Sequence, residues 1–153
     1  MKFKSVTFDL DGTLLDTVAD LAEASNRMLL ELGEATYSEA EIRRFIGQGI
    51  AILVERCLSR AGAPEAQRLA QGIEVFKRHY AAVNGEKSTF YPGVQEGLQA
   101  WKATGLPLGI VTNKAAAFTL ALLERKGLGG FFDVVVSGDS TAHKKPHPEP
   151  VLH

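Results

Sequence analysis

The chain of 153 residues has little that would hold it together covalently or draw it to a charged polymer. It has one cysteine, Cys57, and a net charge of -1 from 17 basic and 18 acidic residues. A single thiol excludes an internal disulfide and suits a reducing compartment. Balanced charge gives no electrostatic case for nucleic acid or an anionic membrane. No apolar segment approaches the roughly 20 residues that span a bilayer. The opening "MKFKSVTFDL" carries only a short apolar run, broken by Asp9, and does not read as a secretory signal. The expectation is a cytoplasmic protein with no nucleic-acid and no membrane partner. No internal repeat or low-complexity tract stands out. What is present is a 45% apolar content, enough for a packed core.

The apolar pattern changes character along the chain. "VTFDL" is short, β-branched and aromatic and stops at polar residues and Gly12, so it reads as a buried strand. The next seventy residues read as helices only. "TVADLAEASNRMLLELG" has an apolar stripe from Val18 to Leu32, with Thr17 placed to cap it and Gly33 to end it. Ser38 to Glu41 form a capping box before "IRRFIG". "GIAILVERCLSRAG" and "PEAQRLAQGIEVFKRHYAAVNG" make two more helices. Then strands and helices alternate. A helix with Val94, Leu98 and Trp101 on one side precedes the strand "PLGIVTN", and the helix "KAAAFTLALLERKG" precedes the strand "FDVVVSGD". Alternation of this kind predicts βαβ units and a parallel sheet. The expected fold is α/β, with a Rossmann-like core in two segments, 1–16 and 88–153, and an all-helical insert at 17–87.

Open parallel sheets bind ligands at the carboxyl ends of their strands. There the chain offers Asp9 and Asp11, then Thr112, Asn113 and Lys114, then "SGD" and a loop with Lys144 and Lys145. Residues i and i+2 of a strand share a face, so both carboxylates can meet one substrate. A carboxylate can attack phosphorus to form an acyl phosphate, while a second protonates the leaving oxygen and later deprotonates water. Gly12 can turn sharply and, with Thr13, bring backbone N–H groups to phosphate oxygens. Thr112 can donate its hydroxyl, and Lys145 can neutralise charge on nucleophile and phosphoryl group. A metal ion would offset the carboxylates.

"DLDGTLLDT", "VTNK" and "KKPHPEP", in that order, resemble the first three motifs of the haloacid dehalogenase superfamily of phosphatases. The insert resembles that superfamily's helical cap. With "FIGQG" in the insert and "FYPGV" on the return, the resemblance is greatest to the bacterial phosphoglycolate phosphatases. It implies a Mg²⁺-dependent phosphomonoesterase working through an aspartyl phosphate on a small phosphorylated metabolite, with 2-phosphoglycolate as substrate. It assigns Asp9 as nucleophile and Mg²⁺ ligand, and Asp11 as general acid/base and Mg²⁺ ligand through its carbonyl. Gly12, Thr13, Thr112, Asn113 and Lys145 become the phosphate site. Arg43, Gly47 and Gln48 become substrate-facing residues of the cap, though the glycines of "GQG" read alone as a helix break.

The family carries a fourth motif, an acidic pair on a later strand. "SGDS" at 137–140 precedes the lysine loop and lacks the second aspartate, so the chain reads as C-terminally truncated. The family's strand order, 5-4-1-2-3, then predicts an exposed edge on the first strand, open to oligomerisation. A sugar-phosphate phosphatase or a β-phosphoglucomutase-like phosphomutase on the same scaffold is one alternative, and an inactive or binding-only fragment lacking the fourth motif is another. A signalling receiver domain also surrounds phosphate with aspartate, threonine and lysine, but it has no seventy-residue helical insert. Lys114 reads as a helix-start surface residue, and Cys57 as core. His79, His143, His147 and His153 show no metal-ligand spacing and read as solvated.

Overall fold

Three short parallel strands form the sheet of the computed structural model, which describes residues 3–153. They are β1 (Val6–Phe8), β4 (Leu108–Val111) and β5 (Val134–Val136), in the order β1-β4-β5. Val6 pairs with Leu108 and Phe8 with Ile110, and Gly109 pairs with Val134 on the other side. β4 is buried at all four positions, as the unbroken apolar run of a central parallel strand requires. β1 lies at an edge of this sheet among the described residues. Two further strands of two residues each, β2 (Leu15–Asp16) and β3 (Thr89–Phe90), pair antiparallel. They are too short to leave any period in the sequence.

The strands and their connecting helices α5 (Val94–Ala103) and α6 (Ala116–Arg125) belong to one compact unit, residues 1–16 and 89–153. Its core gathers Leu10, Leu15, Leu98, Ile110, Leu122 and Phe132, none more than 8% exposed. Trp101 departs from the expected face: it is 37% exposed while Leu98 on the same helix is 3% exposed. At the start of β4 and β5, the Leu108 N–H donates to Asp133 Oδ2 at 2.8 Å and the Asp133 N–H donates back to the Leu108 carbonyl. That exchange fixes the register of the two strands.

Residues 17–88 form the second unit, which is helical throughout. It comprises α1 (Val18–Glu31), α2 (Glu39–Arg43), α3 (Ile50–Leu58), a 3₁₀ turn at Ser59–Ala61, and α4 (Ala66–Val83). The stripe on α1 is buried at Val18, Leu21, Met28 and Leu29, and that on α4 at Phe76, Tyr80 and Val83. Contacts between α1 and α4 dominate the unit. The capping box forms: Glu41 N–H donates to Ser38 Oγ at 3.3 Å and Ser38 N–H to Glu41 Oε2 at 2.8 Å. Thr17 does not cap α1 with its side chain.

Asp20, in the first turn of α1, has no solvent exposure. Its carboxylate accepts N–H bonds from Gly85 (2.9 Å), Lys87 (2.7 Å) and Ser88 (3.0 Å), and a hydroxyl bond from Ser88. A buried carboxylate is tolerable only when its lone pairs are filled in this way. Asp20 thus ties the beginning of the helical unit to its end. No helix of the described residues is long and apolar enough to cross a membrane.

Candidate active site

The chain leaves β1 at Phe8 and turns back on itself within a few residues. Gly12 takes φ +80, a conformation open to glycine at little cost. The turn closes through Gly12 N–H to the Leu15 carbonyl (2.8 Å), and through Leu14 and Leu15 N–H to the Leu10 carbonyl (3.0 and 3.1 Å). Thr13 N–H also points to the Leu10 carbonyl, at 3.3 Å. The amides of Gly12 and Thr13 therefore close the turn. Leu10, Leu14 and Leu15 anchor the turn in the core, and Asp9 and Asp11 are left on its outer side.

The two carboxylates have separate lysine partners. Lys145 Nζ lies 2.8 Å from Asp9 Oδ1 and donates to the Val111 carbonyl at 2.7 Å. Asp9 Oδ1 also accepts the Leu10 N–H at 2.9 Å. Both contacts fall on Oδ1, so among the described residues Oδ2 has no partner, and the Asp9 side chain is 41% exposed. Asp11 is more enclosed, at 18%, and receives Lys114 Nζ at 3.1 and 3.3 Å. Lys114 corrects the surface reading: its side chain is 4% exposed and its ammonium faces Asp11. No local pattern announces this, because the partner lies 103 positions earlier.

The ends of β4 and β5 hold the lysines in place. Thr112 N–H continues the ladder to the Val136 carbonyl at 2.9 Å. Thr112 Oγ1 accepts the Lys114 N–H at 3.2 Å, so its hydroxyl hydrogen is left to donate; the residue is only 3% exposed. Asn113 works as a clamp. Its Nδ2 donates to the Lys145 carbonyl (3.1 Å) and its Oδ1 accepts the Lys145 N–H (2.9 Å). The carboxamide thus mimics a peptide and pins the loop carrying Lys145.

The "SGD" segment supports this arrangement without joining the carboxylates. Gly138 N–H donates to the Lys114 carbonyl at 2.7 Å. A Cβ at position 138 would stand 2.2 Å from the Asn113 carbonyl oxygen, so only glycine lets the two strand ends approach this closely. Asp139 Oδ1 accepts the Ala116 N–H at the start of α6.

Asp9, Asp11, Gly12, Thr13, Thr112, Asn113 and Lys145 all belong to the α/β unit. Arg43, Gly47 and Gln48 belong to the helical one. There Arg56 organises the connection from α2 to α3, donating to the Phe45 carbonyl (2.9 Å) and to Gln48 Oε1 (2.7 Å). Gly47 has φ +116, and Arg43 faces Glu39 at 3.7 Å.

Two carboxylates backed by two ammonium groups, beside a hydroxyl donor, make a site for an anion carried with a hard cation. The donor set is all oxygen, which suits Mg²⁺.

Relatives share this arrangement of chain. A phosphoglycolate phosphatase of Nitrosospira multiformis is 48% identical over 155 residues, covering 100% of this chain and 68% of its own length. A plasmid-borne phosphoglycolate phosphatase of Cupriavidus necator is 42% identical, covering 97% and 64%. The chain thus spans about two thirds of the length of these relatives. The crystal structure of a predicted phosphoglycolate phosphatase from Haemophilus somnus superposes with a TM-score of 0.91 at 31% identity, over 98% of this chain and 69% of the other. The model of the haloacid dehalogenase-like hydrolases matches residues 6–153. The aspartate turn, the β4 terminus and the lysine loop all fall within that match, and the chain belongs to the haloacid dehalogenase-like hydrolases.

Proposed function

We propose that the chain carries the catalytic machinery of a Mg²⁺-dependent phosphomonoester hydrolase that acts through an aspartyl phosphate, with 2-phosphoglycolate as its substrate. The supporting observation is the asymmetry of Asp9: one oxygen is held by Lys145 and the Leu10 N–H, and the other is open. Fixing one oxygen orients the other for attack and removes rotational freedom before the reaction.

In the first step Asp9 Oδ2 bonds to phosphorus as the ester P–O bond breaks. Asp11, as the acid, gives its proton to the departing oxygen of the organic fragment. In the second step Asp11 takes a proton from water, whose oxygen bonds to phosphorus as the Asp9 Oδ–P bond breaks, returning free carboxylate and inorganic phosphate. Lys145 uses two of its three N–H donors on Asp9 and Val111, and directs the third at a phosphoryl oxygen. Thr112 donates its hydroxyl hydrogen to a second oxygen. Lys114 keeps Asp11 on the substrate side of the turn, and Asn113 keeps Lys145 in reach. Asp9 and the Asp11 carbonyl would hold Mg²⁺, which supplies charge neutralisation between carboxylate and phosphoryl group. The helical unit, with Arg43, Gly47 and Gln48, supplies substrate selection as a cap. The names of the relatives support the choice of substrate.

The test is Mg²⁺-dependent release of phosphate from 2-phosphoglycolate beside a panel of hexose and pentose phosphates. Preference for the two-carbon ester by kcat/KM supports the reading. Equal or greater turnover of sugar phosphates, or interconversion of their positional isomers, overturns the substrate.

A further inference from the structure

His143, His147 and Glu149 form a cluster that the phosphatase chemistry does not use. One ring nitrogen from each histidine and a carboxylate oxygen lie within 4.8 Å of one another. The imidazoles stack with centroids 4.2 Å apart and planes 24° apart. His143 Nδ1 is 2.7 Å and His147 Nδ1 3.9 Å from Glu149 Oε2, and His147 Nδ1 accepts the Glu149 N–H at 3.2 Å, a bond that a metal ion would replace. The loop fixes the donors from behind. His143 N–H donates to Glu149 Oε2 at 3.0 Å, His147 N–H to the Lys144 carbonyl at 2.9 Å, and Thr141 Oγ1 to the His143 carbonyl at 2.7 Å.

We propose that His143, His147 and Glu149 form a binding site for a divalent transition-metal ion of the Zn²⁺ class, separate from the Asp9–Asp11 site. Two imidazoles and one carboxylate are the ligand set that Zn²⁺ takes with three protein donors. Tetrahedral Zn²⁺ with bonds of about 2.0–2.1 Å needs donors roughly 3.3 Å apart, and the observed 2.7 and 3.9 Å bracket that spacing. The side chains are 62%, 48% and 36% exposed, so small rotations suffice and solvent completes the shell. Imidazole selects against Mg²⁺, whose preference is oxygen, so the two sites would not compete for one ion. The ligands at 143 and 147 flank Lys145, so a bound ion would tie together the two sides of its loop. The H-x-x-x-H-x-E spacing gives no obvious metal signature in the sequence, because the turn at Lys144–His147 brings the rings together.

The test is calorimetric titration of Zn²⁺ into metal-stripped protein held in excess Mg²⁺, with Co²⁺ absorption as a second probe. One saturable equivalent is expected, weakened at least about tenfold by His143→Ala, His147→Ala and Glu149→Gln. His79→Ala and Asp9→Asn should leave it unchanged. Zn²⁺ should shift the ring resonances of His143 and His147 in the intact protein and leave those of His79 in place, which avoids reliance on the variants' folding. No saturable Zn²⁺ binding, or binding that the three substitutions leave intact, overturns the site.

Discussion

Asp9 and Asp20 are eleven residues apart, and each holds a carboxylate among hydrogen-bond donors, with opposite consequences. Asp20 is fully buried and takes three backbone N–H bonds and a hydroxyl. Burial closes it to a ligand, and it joins distant parts of one helical unit. Asp9 is 41% exposed, bonded through one oxygen, and open at the other. A saturated carboxylate holds structure together, whereas a half-satisfied one at a strand end keeps an oxygen for a ligand.

The sharpest way to break this contrast is substitution. Asp9→Asn keeps the shape and removes the proposed nucleophile. Turnover should fall by roughly three orders of magnitude or more, with melting almost unchanged, as steady-state kinetics and calorimetry would report. Asp20→Ala should do the reverse. It strands three N–H groups in the interior, at a cost of about 3 kcal/mol or more, read as a lower urea midpoint. If Asp20→Ala kept full stability, or Asp9→Asn lost it, the assignment of roles would be inverted.

A smaller effect sharpens the account of the lysine loop. Asn113→Ala removes both bonds to the Lys145 backbone. KM should rise about tenfold with a lesser change in kcat, since the charge of Lys145 remains while its placement loosens. An unaltered KM would mean that the loop needs no clamp.

The smallest effect concerns Asp133. Its carboxyl is held below the usual 3.8, first by the Leu108 N–H and then by the charge of Lys102. A depressed folded-state value contributes stability that is present above the unfolded pKa and lost as pH falls through the folded one. The wild type should therefore lose slightly more stability than Asp133→Asn between about pH 5 and about pH 3. The residue is exposed, so the difference should be small; parallel melting curves for the two proteins would discount the bond from Leu108 N–H to Asp133.

The strands and helices were legible because burial imposes a period on sequence. The run "LGIV" could only be a central strand, and "SEAE" could only begin a helix. Asp9 and Asp11 were legible because a charged pair at the end of an apolar run has few structural uses. Lys114 was not, since its partner lies 103 residues away and a lysine before a helix is ordinarily solvated. Asp20 was hidden for the same reason, its donors lying 65 to 68 residues on. Thr17 stood where a cap belongs, yet the chain end of α1 is tied by Asp20 instead. Gly12 was read correctly as a turn, but sequence could not say that its N–H would be used to close that turn.

The central claim is that Asp9 becomes covalently phosphorylated. Rapid acid quench of the enzyme turning over 2-phosphoglycolate with Mg²⁺, followed by borohydride reduction, converts an aspartyl phosphate to homoserine at that position. Peptide mass spectrometry should find homoserine at residue 9, and none in Asp9→Asn. Homoserine at residue 11, phosphate on a histidine, or turnover with no modification of Asp9 would contradict the account.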